Sequence, residues 1–194
     1  MVKVTSSDSR NGALPVRLKQ LRRQRDLSLD ALANSTGLTK SYLSKVERGL
    51  SVPSLATVLK LAEAFKLSVG QLIGEDATSE IVCVTRQGER VAFSREDSRD
   101  GYTYEAIAAA RKVRLMDPFI MRPPRRSAED NVQVEHSGEE FIFVLSGTIE
   151  IAVGEQVVRL AAGDAIYFDS SMPHRSRSVG RKRAEALVVA CKPT

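Results

Sequence analysis

The 194-residue chain holds two histidines, His136 and His174. Each borders a short alternating segment closed by glycine: HSGEEFIFVLSG at 136–147 and GDAIYFDSSMPH at 163–174. On an extended strand alternate side chains share a face, so Val134 pairs with His136, and Glu140 with Ile142 and Val144. If those faces look inward, His136, Glu140 and His174 converge. Two imidazoles and one carboxylate with open positions suit non-haem Fe(II), and zinc accepts a similar set. A second group has different chemistry. Lys40, Ser41, Ser44, Lys45 and Arg48 are interleaved with apolar Leu43 and Val46. A helix that buries Leu43 and Val46 leaves those five outward, where short polar and cationic side chains reach base edges and phosphates.

The elements that must position these residues are marked by periodicity. From Leu14 to Ile73 apolar residues recur at helical spacing. Leu14, Leu18 and Leu21 mark a first helix, with Arg17, Lys19, Arg22, Arg23 and Arg25 around it. Leu29, Leu32 and Ala33 mark a second; Leu43 and Val46 a third; Leu55, Val58, Leu59, Ala62 and Phe65 a fourth; Val69, Leu72 and Ile73 a short fifth. Pro15 suits a first turn. Ser28, Thr39, Ser54 and Ser68 stand where N-caps are needed, and Ser68 with Gln71 reads as a capping box. Gly37 and Gly49 fall where the second and third helices should stop. Two helices that cross steeply need a small contact residue, supplied by Ala33. The turn between them needs a positive φ, supplied by Gly37.

At Gly74 the texture changes. Residues 74–80, GEDATSE, read as a linker, and residues 1–12 as a disordered polar arm. Strands are expected at 81–84, 102–107, 118–121, 132–136, 140–145, 148–153, 157–160, 165–168 and 185–190. Many short strands without a helical stripe argue for a β-sandwich or barrel. The piece EAIAAARK at 105–112 could also form a helical turn, and PPRRSAED at 123–130 reads as a mobile loop. The division expected is an arm at 1–12, a helical domain at 13–73, a linker at 74–80 and a β domain at 81–194.

Charge separates the two parts. Net charge is +5, yet residues 1–75 carry 12 Lys and Arg against 6 Asp and Glu. The excess therefore sits in the helical third, which implies a polyanion partner for that part alone. No apolar run reaches membrane-spanning length, and the N-terminus lacks the apolar core of a secretory signal. Two distant cysteines, Cys83 and Cys191, form no disulfide framework, so a cytoplasmic location is expected.

The stretch RLKQLRRQRDLSLDALANSTGLTKSYLSKVERGLSVPSLATVLKLAEAF resembles the XRE-type helix-turn-helix family, most specifically in SYLSKVERGLSVPSLATVLKLA. The resemblance implies a five-helix DNA-binding domain. Thr39, Lys40 and Ser41 would open the recognition helix, Ser28 and Asp30 the supporting helix, and Lys45 and Arg48 would approach the DNA backbone. Ser44 lies on the same outer face.

Residues 80–190 resemble the cupin family, most strongly at 132–175. In that family the first motif carries two histidines and a glutamate, and the second motif a third histidine. Glu140 and Gly147 keep the spacing, His136 takes the second histidine position and His174 the third. Val134 replaces the first histidine. Asp169, Ser171 and Ser178 stand where the family has Pro, Gly and Asn. No cofactor is assigned. Either a divalent metal, Fe or Zn, occupies the three residues, or the barrel has lost its metal and they bind an effector or pack together. Tyr102 and Tyr104 share a strand face and either line this pocket or belong to ordinary packing.

Both halves together resemble the XRE–cupin transcriptional regulators. That resemblance implies a non-enzymatic homodimer, held mainly by cupin domains, on a partly palindromic operator. A small metabolite in each cupin pocket would alter the placement of the heads. Repression is the expected output, with activation as the alternative. The rival reading is a mononuclear non-haem iron enzyme of the hydroxypropylphosphonate epoxidase type, which resembles this chain at His136, Glu140, His174 and GYTYEA.

Overall fold

The structure, a computed structural model, describes residues 13–73, 82–92, 101–111, 114–125 and 133–191. The arm expected at 1–12 and the linker at 74–80 lie outside the described residues. Five helices come first: α1 (Ala13–Gln24), α2 (Leu29–Thr36), α3 (Lys40–Glu47), α4 (Leu55–Ala64) and α5 (Val69–Leu72). Their starts follow local chemistry. Ser28, Thr39, Ser54 and Ser68 each accept a backbone N–H of the first turn. Such a cap is worth about 1 kcal/mol. Gln71 closes the capping box by accepting from Ser68 N at 2.9 Å. Gly37 ends α2 at φ 67°, a left-handed conformation that costs glycine nothing. Leu18, Leu32, Leu43, Val46, Val58, Leu61, Phe65 and Leu72 fill the helical core.

Nine strands follow among the described residues: β1 (Val91–Ala92), β2 (Thr103–Ala106), β3 (Met116–Arg122), β4 (Glu139–Ser146), β5 (Thr148–Val153), β6 (Gln156–Ala161), β7 (Ala165–Asp169), β8 (His174–Val179) and β9 (Glu185–Cys191). They form a six-stranded sheet ordered β1-β2-β3-β9-β4-β7 and a three-stranded sheet ordered β6-β5-β8. All pairings are antiparallel. Buried Phe119, Ile142, Val144, Ile149, Ile151 and Val188 fill the space between the sheets. The α-then-barrel class expected from sequence is the class observed.

Two expected strands are corrected. Residues 82–84 take no strand, and Val82 and Val84 are exposed, so their β-branched side chains have no sheet to pack on. Residues 133–136 form only a single bridge, Val134 to His174. Of the ambiguous 105–112 piece, Glu105 and Ala106 end β2, and residues 107–111 take a bend and one hydrogen-bonded turn, Arg111 N to Ala108 O at 3.2 Å; residue 112 lies outside the described residues.

The helical head is seated on the barrel. A Cβ added to Gly70 of α5 would lie 1.7 Å from the Ala109 carbonyl oxygen, so the two backbones approach as only glycine permits. Ser137 donates to Glu63 Oε2 of α4 at 3.3 Å.

Candidate functional site

The first candidate site is the outer face of α3. Leu43 and Val46 are fully buried, while Lys40, Ser41, Lys45 and Arg48 are exposed and Ser44 half-buried. Thr39 caps the helix through Tyr42 N at 3.2 Å. Ser28 caps α2 through Ala31 N at 3.0 Å. Asp30 and Lys40 meet at 2.7 Å in solvent, across the turn. Arg48 folds its Nε onto the Ser44 carbonyl at 3.2 Å. Of the eight expected residues seven are exposed and Ser44 is half-buried, with the Asp30–Lys40 pair joining the starts of α2 and α3.

Arg22, one of the cations around the first helix, is withdrawn from solvent. Its Nε and a terminal nitrogen donate to both Glu47 oxygens, at 2.6 and 2.9 Å, with the side chains 13% and 5% exposed. A third donation reaches Leu27 O at 2.9 Å. Hydrogen bonding to Glu47 raises the guanidinium above its ordinary value. The pair locks α3 to α1 and sets the pose of the outward face.

The second candidate site lies inside the barrel. Glu140 is buried at the start of β4, and His174 at the start of β8. His136 precedes β4 and is tethered by its backbone N to Ser170 O at 3.0 Å. The three donor atoms lie within 4.8 Å of one another. Nε2 of His136 is 3.0 Å from Glu140 Oε2, and Nε2 of His174 is 3.8 Å from the same oxygen. His174 Nδ1 lies 2.9 Å from the Met172 carbonyl, which only an N–H can satisfy. Its Nε2 lone pair then faces the carboxylate, acceptor to acceptor, an arrangement that a bound cation would relieve. Burial holds the His174 imidazole below its ordinary value, so the neutral form that ligates metals is favoured. These residues fit a divalent ion, with Ser137 and Met172 carbonyls orienting the rings.

Val134 occupies the position opposite His174, bonded to it through both backbone groups at 2.9 Å. An apolar side chain thus stands where a fourth ligand would. Tyr102 and Tyr104 stack at 5.7 Å and line the same pocket. Tyr102 hydroxyl donates to Ser176 O at 2.6 Å and accepts from Ser176 N at 2.8 Å. Burial raises both tyrosines above their ordinary range, so both stay protonated. Asp169 and Ser171 bond each other across the β7–β8 turn, at 2.9 Å from the Ser171 N–H and 2.7 Å from its hydroxyl.

Sequence reasoning missed what covers this pocket. Ser54, Leu55 and Ala56, at the start of α4, form its wall beside Tyr102, His136 and His174. The enclosed space is only about 30 Å³, room for an ion and a water rather than a metabolite.

A helix-turn-helix family model matches residues 18–72 and a cupin-domain model residues 121–190. The chain therefore joins a helix-turn-helix domain to a cupin domain. It is 26% identical to the HTH-type transcriptional regulator PuuR of Escherichia coli over 81% of this chain and 83% of that protein. It is 24% identical to the (S)-2-hydroxypropylphosphonic acid epoxidase of Streptomyces wedmorensis over 81% of this chain and 84% of that protein. The crystal structure of an HTH_3-family transcriptional regulator from Vibrio cholerae covers 95% of this chain and 98% of its own at 24% identity, with TM-score 0.65. That likeness concerns the fold. Among the described residues no helix is long and apolar enough to cross a membrane.

Proposed function

We propose that the protein is a sequence-specific DNA-binding regulator, acting as a repressor, whose barrel site controls the DNA-binding head. The observation that carries this reading is the α4 start at Ser54–Ala56, which walls the pocket of His136, Glu140 and His174. Whatever fills the pocket meets the head directly. Lys40, Ser41 and Ser44 would face bases, and Thr39, Lys45 and Arg48 phosphates, with Ser28 and Asp30 beside them. In a space of about 30 Å³ a divalent ion held by His136, Glu140 and His174 would itself be the effector, with water at its open positions. Tyr102 and Tyr104 fix the far wall through stacking and the Ser176 bonds.

Dimerisation through the barrel is supported by one apolar stripe. Phe141, Phe143 and Leu145 of β4 face outward and exposed, and Phe141 registers with exposed Tyr167 on edge strand β7. Such contiguous apolar surface marks an interaction face.

The test is operator affinity, on DNA selected from a random pool, for the parent and Glu140→Gln, each with and without added Fe(II) or Zn(II). The expectation is a response in the parent that Glu140→Gln loses, with unliganded DNA affinity nearly equal. Equal responses would remove the barrel site from control. A second reading, an iron enzyme of the epoxidase type, is favoured by the same donor set and by the similarity to an epoxidase over 81% of the chain. Stoichiometric iron with substrate turnover would select it.

A further inference from the structure

A second cavity, of about 410 Å³, lies where α4 and α5 meet the barrel. Its volume is that of a small-metabolite site, unlike the pocket around Glu140. The helical side supplies Lys60, Glu63 and Lys66, and the barrel side Asp117, His136 and Ala190. Asp117 sits on β3 in register with Ala190 of β9, which is in register with Glu140 of β4. All three are buried and share the inward row.

That carboxylate is half satisfied. Oδ1 accepts from Arg114 Nε at 2.5 Å, while buried Oδ2 has no hydrogen-bond partner among the described residues. Asp117 is 1% exposed. A buried acceptor without a donor is costly, and such atoms in native proteins point to a missing water, ion or ligand. At the other wall, no ion pair engages Lys60 or Lys66 among the described residues. The cavity therefore presents an acceptor beside Arg114 at its floor, and at its helical wall two cations flanking Glu63, which accepts from Ser137.

We propose that this cavity binds a small zwitterion of the amino-acid class, its ammonium on Asp117 Oδ2 and its carboxylate at Lys60 and Lys66. The site is separate from the metal-type set in the barrel, although His136 borders both. It also touches the docking of the head. Arg114, held by Asp117, donates to the carbonyls of Ala108 at 3.0 Å and Arg111 at 2.7 Å. Those carbonyls bracket Ala109, the residue against which Gly70 of α5 is packed. A ligand that bridges Asp117 and α4 would fix the head against the barrel. That consequence for DNA rests on the regulator reading, but binding itself does not.

The experiment is calorimetric titration and thermal unfolding of the full chain with glycine, β-alanine, 4-aminobutyrate and the L-amino acids. Ethylamine and propionate serve as single-charge controls. At least one zwitterion is expected to bind and raise Tm, at least about tenfold more tightly than either control. Lys60→Ala with Lys66→Ala, at a half-buried position of α4 and an exposed position of the turn after it, should weaken it about tenfold or more, as should Asp117→Asn. Glu140→Gln should weaken it less than Asp117→Asn does. No binding by any zwitterion, or binding indifferent to the Lys60/Lys66 pair, would overturn the proposal. Binding lost only in Glu140→Gln would place the ligand in the barrel, overturning this site while supporting the barrel reading.

Discussion

Arg22 of α1 and Glu47 of α3 form a two-pronged ion pair, at 2.6 and 2.9 Å, almost withdrawn from water. The pair sits one residue before Arg48, at the end of the helix whose outer face carries Lys40, Ser41 and Lys45. Removing one partner would leave the other charged and buried. Glu47→Ala should therefore lose about 3–5 kcal/mol of stability, far more than a surface pair would cost. Denaturant titration of parent and variant measures it, and a loss below about 1 kcal/mol would place the pair among ordinary surface contacts.

The outer face of α3 separates into two behaviours on DNA. Lys40→Ala with Ser41→Ala should abolish discrimination among sequences, since each good base contact contributes about 1–3 kcal/mol. Arg48→Ala should weaken every sequence alike and lower the salt slope by about one. Binding titrations at several salt concentrations distinguish them. Unchanged operator preference in the double variant would displace the recognition surface from α3.

Gly70→Ala should detach the head. The added methyl would overlap the Ala109 carbonyl, while alanine itself favours a helix by about 1 kcal/mol. The helices should stay folded and the head should tumble separately from the barrel. Small-angle scattering would show an expanded particle with unchanged circular dichroism. An unchanged radius of gyration would mean that α5 does not carry the docking.

Stability should fall on the acid side of neutrality. Burial lowers the His174 pKa relative to its ordinary value of 6.5. Between the two values the unfolded chain takes up a proton that the folded chain refuses, so stability rises with pH there. The contribution is fully present above 6.5 and is lost as pH falls below it, until the depressed value is passed. Thermal unfolding from pH 8 to 5 in parent and His174→Gln tests it. The parent's Tm should drop more steeply below about pH 6.5, and parallel profiles would count against it.

Phe141→Glu with Phe143→Glu should yield monomers. Both side chains are outward and 36% exposed, next to Tyr167. Light scattering at matched concentration decides it: a variant that stays dimeric would move the interface elsewhere.

Much of the head was legible because its signals are local. Ser28, Thr39, Ser54 and Ser68 act on N–H groups three residues away, and Gly37 acts on its own φ. The strands of the two motifs were legible because Glu140, Ile142 and Val144 alternate and all three are buried. At 82–84 and 133–136 the same alternation misled. A strand exists only when a partner completes its ladder, and those segments have none beyond the Val134–His174 bridge.

What the chain's linear order determined, then, is which elements form and which side chains each turns inward. His136, Glu140 and His174 could be singled out because residue type, strand parity and spacing are properties of the chain itself. The tertiary structure alone decided what those elements meet. Arg22 reads as one more surface cation until α3 brings Glu47 to it. Ser54 reads as a cap and no more until α4 is laid over the barrel. Asp117 is an unremarkable strand residue until Arg114 takes one of its oxygens and the fold leaves the other without a donor. Burial and pairing of this kind arise between residues distant in sequence, where no local propensity records them.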